Sequence, residues 1–382
     1  MRKQVNKQQI IRTAKKTMSS FLPLLDSSPS YQNFISGIHS EYTLKMYREH
    51  IVSYLKFRGH TDPSKLLKGD TKLLESYFVE YLQSEKEKNL SYSTLNQKFA
   101  AIKKFYIEND IENLRWYKIH KILGRNTKKT RDRTYTHQDI QKLLGYADHR
   151  MKLVILLLAS TGMRISALVS LQLQDLLYYK EENIYQFRVY ANDTKEEYIT
   201  FCTPECSDAL KEYLEWRKSK GEILTEKSWL IRSHFKQQIK DTKMEAHTIG
   251  NELSVLLDKC NIIQLEHRTE TKYVIRKQIM RLHGFRKFFT TMCIESKVDA
   301  ERREMMLGHS LGITSHYYRS TPMQLLDEYL KAVNLLTIKE ENRLKNININ
   351  LQNELDEQNQ RYIRVEEQLQ ELKDLFRSKG LI

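Results

Sequence analysis

The sequence has little cysteine, and its cysteines are not spaced as zinc ligands are. The four are Cys202, Cys206, Cys260 and Cys293. None forms a CxxC pair, and none lies beside a cluster of histidines. We therefore expect reduced thiols in an intracellular protein, and no bound metal.

Long apolar runs are also missing. The apolar stretch at residues 153–159 is far shorter than the roughly 18 residues that cross a membrane. Residues 1–16 are basic but lack the apolar core of a secretory signal. The chain has no Walker-type glycine loop for a nucleotide. These absences indicate a soluble protein that contacts no membrane, is not exported and binds no nucleotide cofactor.

Positive charge is abundant in this chain of 382 residues. The formal net charge is +15, and lysine and arginine recur along the whole length. This balance favours a polyanionic partner such as nucleic acid, although solubility or binding to acidic surfaces would also account for it.

Composition and apolar periodicity predict a mainly α fold with a small β-sheet or hairpin (α+β), divided into five segments. A polar and basic arm comes first, followed by a small helical domain, a basic linker, a larger domain and a terminal helix. Their expected ranges are 1–30, 31–120, 121–133, 134–335 and 338–377.

The larger domain is expected to begin near Thr136, which would cap a helix starting at Asp139. Two short runs with β propensity, 184–190 and 197–202, predict a hairpin. Helical patterns then resume, and the expected ranges are 204–218, 248–260, 283–296 and 300–307.

Basic side chains on the helical domain and in the linker are candidates for tracking phosphates along DNA. A solvated polar face is the alternative interpretation. The candidates are Lys45, Arg48, Lys98, Lys103, Lys104, Lys128, Lys129 and Arg131.

The C-terminal segment repeats every seven residues. One set of positions is Leu344, Leu351, Gln358, Val365 and Leu372, and a second set lies four residues after each of these, at Asn348, Leu355, Tyr362, Leu369 and Phe376. Such a seam over 344–376 predicts a coiled coil that pairs with itself or with a partner helix. The alternative is a single amphipathic helix folded back on its own domain.

Three short motifs carry side chains suited to phosphate chemistry. Arg164 follows a buried helix and a glycine break. His283 and Arg286 are spaced to share one face of a helix. A Leu-Gly-His motif ends at His309, and Tyr318 follows nine residues later.

The order of these elements closely resembles the tyrosine recombinase (phage integrase) family: an arginine, a hairpin lysine, HxxR, LGH and a tyrosine. The resemblance covers about 136–330 by motif and extends to 40–120 by domain order. It implies a helical core-binding (SAM-like) domain and a catalytic domain that cleaves DNA without metal or cofactor.

Catalytic roles follow residue by residue from this resemblance. Arg164 and Arg286 would neutralise the scissile phosphate, and His309 would hydrogen-bond it. His283 would assist proton transfer, and Lys195 would protonate the leaving 5′ oxygen. Tyr318 would be the nucleophile.

Two of these assignments have neighbours that compete with them. Lys180 is the other candidate lysine, but it precedes the first predicted strand, so a position in the hairpin favours Lys195. Tyr317 lies beside the nucleophile, and the family's spacing of nine residues from the LGH histidine favours Tyr318.

One position departs from the family pattern. Many members have an acidic residue three positions after the first arginine, and Ala167 stands there in this chain. The carboxylate that usually supports the arginine is therefore missing. We expect Asp175 to end a helix rather than to replace it.

The resemblance implies a site-specific recombinase or integrase in the cytoplasm of a prokaryote, or one encoded by a virus or mobile element. Two domains would grip opposite faces of double-stranded DNA, and four protomers would join two DNA sites. Residues 323–335 fit a helix that docks on a neighbouring protomer, or one that packs on its own domain. A type IB topoisomerase and a non-catalytic DNA-binding or scaffold protein are the alternatives.

Overall fold

The computed structural model describes residues 25–125, 133–191, 197–233, 243–262, 279–310 and 320–378. It divides into two compact units, with the division between residues 129 and 130. Most described residues are helical, and the sheet has three strands. The expected mainly α fold with a small sheet is confirmed.

The N-terminal unit is built of helices joined by short connections, with no strand among its described residues. Each of its three longest helices begins at a serine or aspartate whose side chain accepts the amide hydrogen of the third residue on, which is the usual N-cap. Its elements are α1 Pro29–Ile35, α2 Glu41–Phe57, a 3₁₀ turn Pro63–Leu67, α3 Thr71–Glu87, α4 Tyr92–Ile107 and α5 Trp116–Lys121.

The packed part of this unit begins earlier than the expected boundary at residue 31. Leu25 is fully buried in the helical core, and Ser28 and Ser30 are buried beside it. The basic arm expected at residues 1–30 therefore gives way to folded chain by residue 25. Its first 24 residues lie outside the described ranges.

The larger unit is built around one buried helix, α7. Nearly every residue of α7 is buried, and α9, α11 and α13 all pack against it. The helices of the unit are α6 His137–Tyr146, α7 His149–Thr161, α8 Ile165–Leu168, α9 Pro204–Ser219, α10 Ala246–Lys259, α11 Arg281–Glu295, α12 Ala300–Met306 and α13 Pro322–Leu336.

Thr136 is the N-cap of α6, as the sequence predicts. Its hydroxyl accepts the amide hydrogen of Asp139, and the Asp139 carboxylate accepts the amide hydrogen of Thr136. The helix starts at His137, however, two residues before the expected start. The expected starts of α10 and α11, at 248 and 283, are also two residues later than the observed ones. The reason is that polar first turns carry little apolar periodicity.

The sheet is antiparallel in the order β1-β2-β3, with β1 Leu176–Tyr179, β2 Ile184–Val189 and β3 Tyr198–Phe201. The strands of the predicted hairpin are β2 and β3, and Val189 pairs with Tyr198 where they meet. β1 was not expected. It pairs with β2 at the other end, where Tyr179 faces Ile184.

Helix α13 packs on its own unit. Leu325, Leu326 and Val333 are buried against it, and the Tyr329 hydroxyl donates to the Ser160 carbonyl of α7 at 2.9 Å. Of the two interpretations of residues 323–335, the structure therefore shows packing on the same chain. A final helix, α14 Glu340–Ser378, follows. No helix in the described ranges is long and apolar enough to span a bilayer.

Candidate active site

A left-handed glycine ends α7 and sets Arg164 at the start of α8. Gly162 has a φ of 62°, and its amide donates to the Leu158 carbonyl at 3.2 Å, which closes the helix. A Cβ here would lie 2.6 Å from Phe289 and 2.9 Å from Leu307. Arg164 is exposed, and its side chain has no hydrogen bond or ion pair with any described residue.

Arg286 lies on α11 and is buried, with only 6% of its surface exposed. Its guanidinium donates to the Gly162 carbonyl at 2.8 Å, to the Leu307 carbonyl at 2.6 Å and to His309 Nε2 at 2.6 Å. Burial and the nearby charge of Arg164 lower the pKa of Arg286, but a guanidinium stays protonated in proteins. The arginine is thus a fixed cation.

His309 is held between a cation and a carboxylate. Because Arg286 can only donate, His309 Nε2 accepts from it, and Nδ1 then carries the hydrogen that reaches Glu304 Oε2 at 2.5 Å. Burial alone would raise the pKa of Glu304, but hydrogen bonds from His309 and Arg303 lower it below its usual value. Glu304 therefore stays ionised and sets the tautomer and orientation of the His309 ring.

His283 is exposed on α11, one turn before Arg286. Partial burial lowers the pKa of His283, and the positive charges of Lys287, Arg286, Arg164 and His309 lower it further. The hydrogen bonds of Arg286 to Gly162, two residues before Arg164, and to His309 bring the four predicted residues of the described site into one cluster. Because its pKa is depressed, His283 is a neutral base at neutral pH and is able to accept a proton.

Tyr198 lies at the edge of this cluster. The residue is 8% exposed, and its hydroxyl has no hydrogen-bond partner among the described residues. A Cβ at Gly308 would lie 2.5 Å from its ring, so the LGH glycine makes room for this tyrosine. Burial raises the pKa of Tyr198 to about 12, although the positive charges of Arg286 and Arg164 act to lower it.

Lys195 lies outside the described residues. The described strands on either side of it, β2 and β3, pair at Val189 and Tyr198. Lys180 follows β1 at the other end of β2, which is about 17 Å away for a strand of this length. The assignment of Lys195 therefore stays a prediction.

The proposed nucleophile also lies outside the described residues. Tyr318 and its neighbour Tyr317 fall in 311–319, between the helix that ends before His309 and the start of α13. The structure therefore does not distinguish the two tyrosines, and Tyr318 stays a prediction.

The position of the missing carboxylate is closely packed. Ala167 is completely buried in α8. Asp175 accepts the backbone amide hydrogen of Gln172 at 2.8 Å and caps the short turn before β1. Asp175 is thus occupied locally, in keeping with the expectation that it does not replace the acid.

Three of the residues predicted to contact phosphates lie on the helical unit with exposed or partly exposed side chains. Lys45 is exposed on α2. Lys103 lies over the Trp116 ring at 5.5 Å, and Lys104 pairs with Glu108 at 2.5 Å.

Arg48 and Lys98 have partners inside the same unit. Arg48 donates to Tyr31 and pairs with Asp26 at 2.9 Å. Lys98 is 9% exposed and pairs with the buried Glu85 at 3.1 Å, so its ammonium stabilises the core of this unit. The three candidates of the linker, Lys128, Lys129 and Arg131, lie outside the described residues.

Glu304 and Tyr198 were not singled out in the sequence. Glu304 lies five residues before His309, and a carboxylate near a motif histidine is a signal that would have identified it. Tyr198 has no comparable sequence signal, because its place beside the arginines depends on the register of β3. Within the described ranges, no three His, Cys, Asp or Glu side chains are grouped as metal ligands.

The chain matches known family models in both of its units. The model for the phage integrase family matches residues 133–324, which is half of the chain. The model for the phage integrase N-terminal SAM-like domain matches residues 31–108. The chain is also similar to the tyrosine recombinase XerC of Staphylococcus epidermidis, at 24% identity over 307 residues, 77% of this chain and 91% of that protein.

Solved structures share the fold. The Tn1549 transposon integrase in complex with transposon right-end DNA has a TM-score of 0.53 at 20% identity, covering 79% of this chain and 97% of that one. A lambda integrase dimer bound to a COC′ core site has a TM-score of 0.50 at 15% identity, covering 79% and 95%.

Proposed function

This chain belongs to the phage integrase family of tyrosine recombinases, and from that premise we propose how it carries out site-specific recombination. The proposal is that the larger unit cuts one DNA strand at a time and rejoins it to another. The observation that carries it is the cluster of Arg164, His283, Arg286 and His309. Among the described residues, the carboxylate in contact with this cluster is that of Glu304, which accepts a hydrogen bond from His309.

The cluster is suited to a phosphodiester. Arg286 is held by carbonyl groups of the protein, so it is oriented before DNA arrives. Arg164 is exposed beside it and has hydrogen-bond donors to spare. The fixed guanidinium of Arg286 and the exposed one of Arg164 together stabilise the negative charge that builds on the non-bridging oxygens in the transition state.

The reaction is a transesterification that conserves bond energy. The Tyr318 hydroxyl attacks phosphorus, the bond from phosphorus to the 5′ oxygen breaks, and a 3′-phosphotyrosyl link forms. His283 accepts the phenol proton, and Lys195 gives a proton to the leaving 5′ oxygen. Attack by a second 5′ hydroxyl reverses these steps and releases the enzyme, so neither ATP nor a metal takes part.

Double-stranded DNA is the proposed partner. The net charge of +15 supports it, and the similar Tn1549 and lambda integrases were solved as DNA complexes. Lys45, Lys103 and Lys104 are the described candidates for phosphate contacts. We propose further that four protomers act on two DNA sites and that the seam at 344–376 is a surface for self-pairing or a partner helix.

Strand exchange tests this function. Two labelled duplexes carrying the sequence that flanks the gene are incubated with the protein, beside a supercoiled plasmid with the same site. We expect recombinant duplexes from the wild-type protein and none from Tyr318→Phe. Plasmid relaxation without exchange would indicate a topoisomerase. DNA binding with neither product would indicate a non-catalytic relative.

A further inference from the structure

Helix α14 has an apolar stripe that no described part of the chain covers. Five apolar side chains at its seam positions are more than half exposed, and Ile363, outside the seam, is 54% exposed. The exposed fractions at the seam are 55% for Leu344, 57% for Leu351, 53% for Leu355, 66% for Tyr362 and 58% for Val365.

The length of α14 makes this exposure unusual. The helix has 39 residues and is about 58 Å long at the rise of an α-helix. Most helices in proteins owe their stability to packing of an apolar face. Just before α14, the buried Glu205 carboxylate accepts the amide hydrogens of Ile338 and Lys339 at 2.7 and 3.2 Å and anchors the start of the helix.

We propose that α14 pairs with α14 of a second copy of this chain, as a parallel, in-register, two-stranded coiled coil that forms without DNA. The inference goes beyond the recombinase function and does not depend on it. Three features of the seam select this partner and this orientation.

The first feature is the pair of polar seam residues. In a parallel in-register pair, Asn348 faces Asn348 and Gln358 faces Gln358, so each amide has an amide to bond. In an antiparallel pair over the same span, Asn348 would face Leu372 and Gln358 would face Tyr362. The antiparallel arrangement would leave the Asn348 amide buried without a partner, which is costly.

The second feature is the charge beside the seam. With Leu344 at position d of the heptad, Arg361 is at g and Glu366 is at e. In a parallel pair, Arg361 of each copy lies beside Glu366 of the other copy, so two attractive contacts form. An antiparallel pair would place Arg361 opposite Arg361. Charge therefore favours the parallel orientation.

The third feature is the size of the surface. The seam from 344 to 376 is about 50 Å long, and a stripe one helix wide on each copy amounts to an area on the order of 1,000 Å² in all. That area is enough for a specific interface of the smaller class. Because Glu205 anchors the start of α14, the pair would hold two of the larger units side by side.

Light scattering of the full-length protein without DNA, at low ionic strength and over a range of concentrations, tests this proposal. We expect a dimer for the wild type and a monomer for Leu355→Lys. The Arg361→Glu change should weaken the dimer by roughly 3- to 10-fold, because two attractive contacts become repulsive. The double change Arg361→Glu with Glu366→Arg should restore wild-type affinity.

The double change distinguishes the two orientations. In an antiparallel pair, residue 361 faces itself, so the exchanged charges would not restore binding. A monomeric wild type, a dimer that survives Leu355→Lys, or a double variant as weak as Arg361→Glu would each overturn the proposal. None of these outcomes requires DNA cleavage, so they do not depend on the recombinase assay.

Discussion

Arg286 uses three hydrogen bonds inside the protein before any DNA binds. Its acceptors are two carbonyls and His309. Because a guanidinium has five N–H groups, two are left for a phosphate oxygen. An arginine fixed in this way needs little reorganisation when charge develops in the transition state.

Glu304 acts through His309, since its carboxylate fixes the hydrogen on Nδ1. Glu304→Gln removes the charge and weakens this hydrogen bond, so we expect the rate of DNA cleavage to fall by roughly tenfold or more. Single-turnover cleavage of a duplex substrate measures the rate.

The matched control is Glu301→Gln, which changes an exposed carboxylate on the same helix. It should leave the cleavage rate unchanged. Equal rates for both variants would show that the contact between Glu304 and His309 has no part in positioning the histidine.

Lys287 is expected to control the pH range of His283. After partial burial, its positive charge is the largest cause that lowers the pKa of His283. A base works when neutral, so a depressed pKa keeps cleavage active to lower pH. In Lys287→Gln the pKa of His283 rises, and the acid limb of the pH–rate profile should move to higher pH. Lys287→Arg keeps the charge and should keep the wild-type profile, and identical profiles for all three proteins would contradict the role of His283 as the base.

Gly162 is required by both conformation and space. Gly162→Ala adds the strain of a left-handed φ and a Cβ 2.6 Å from Phe289, so the free energy of unfolding should fall by about 2–5 kcal/mol. Thermal unfolding of the full-length chain measures the loss. Gly145→Ala is the control, because its Cβ would meet nothing within 4 Å and alanine favours a helix. Equal melting temperatures for the two variants would contradict this account.

Helices and strands differed in how well the sequence predicted them. The long helices of the larger unit carry a clear apolar period, and α6 has the N-cap Thr136, so they were found with errors of about two residues. Strand β1 was missed because Leu176–Tyr179 has four apolar or aromatic residues without alternation, and so short a run has no distinct period. Its pairing with β2 is a tertiary contact.

The junction between α13 and α14 depends on Glu205 of α9. Glu205→Ala would leave the amides of Ile338 and Lys339 without their acceptor, and burying such groups unpaired costs about 2 kcal/mol. We expect thermal unfolding at a correspondingly lower temperature. Glu212→Ala, on the same helix with a side chain that is 67% exposed, should unfold like the wild type. A Glu205→Ala protein as stable as this control would show that the carboxylate does not hold the junction.

For the molecule as a whole, the order of short motifs predicted the family, and the family match confirms that prediction. Arg164, His283, Arg286 and His309 were also predicted, and the structure brings these four together. Tyr198 could not be predicted, because it reaches the cluster through packing of β3 against α7 and α12. Glu304 lies only five residues before His309, so its contact with that histidine is local and could have been predicted. Lys98 was predicted to contact DNA because it is charged. In the structure it is buried and pairs with Glu85, so its role is structural.

The central claim is that Tyr318 becomes covalently linked to DNA. A duplex nicked just on the 3′ side of the cleavage point traps that link. The short fragment that carries the released 5′ hydroxyl diffuses away, so it cannot attack the phosphotyrosyl bond. We expect the wild type and Tyr317→Phe to form a protein–DNA adduct whose linked peptide contains Tyr318, and Tyr318→Phe to form none. An undiminished adduct from Tyr318→Phe, or no adduct from the wild type on its own flanking DNA, would contradict the account.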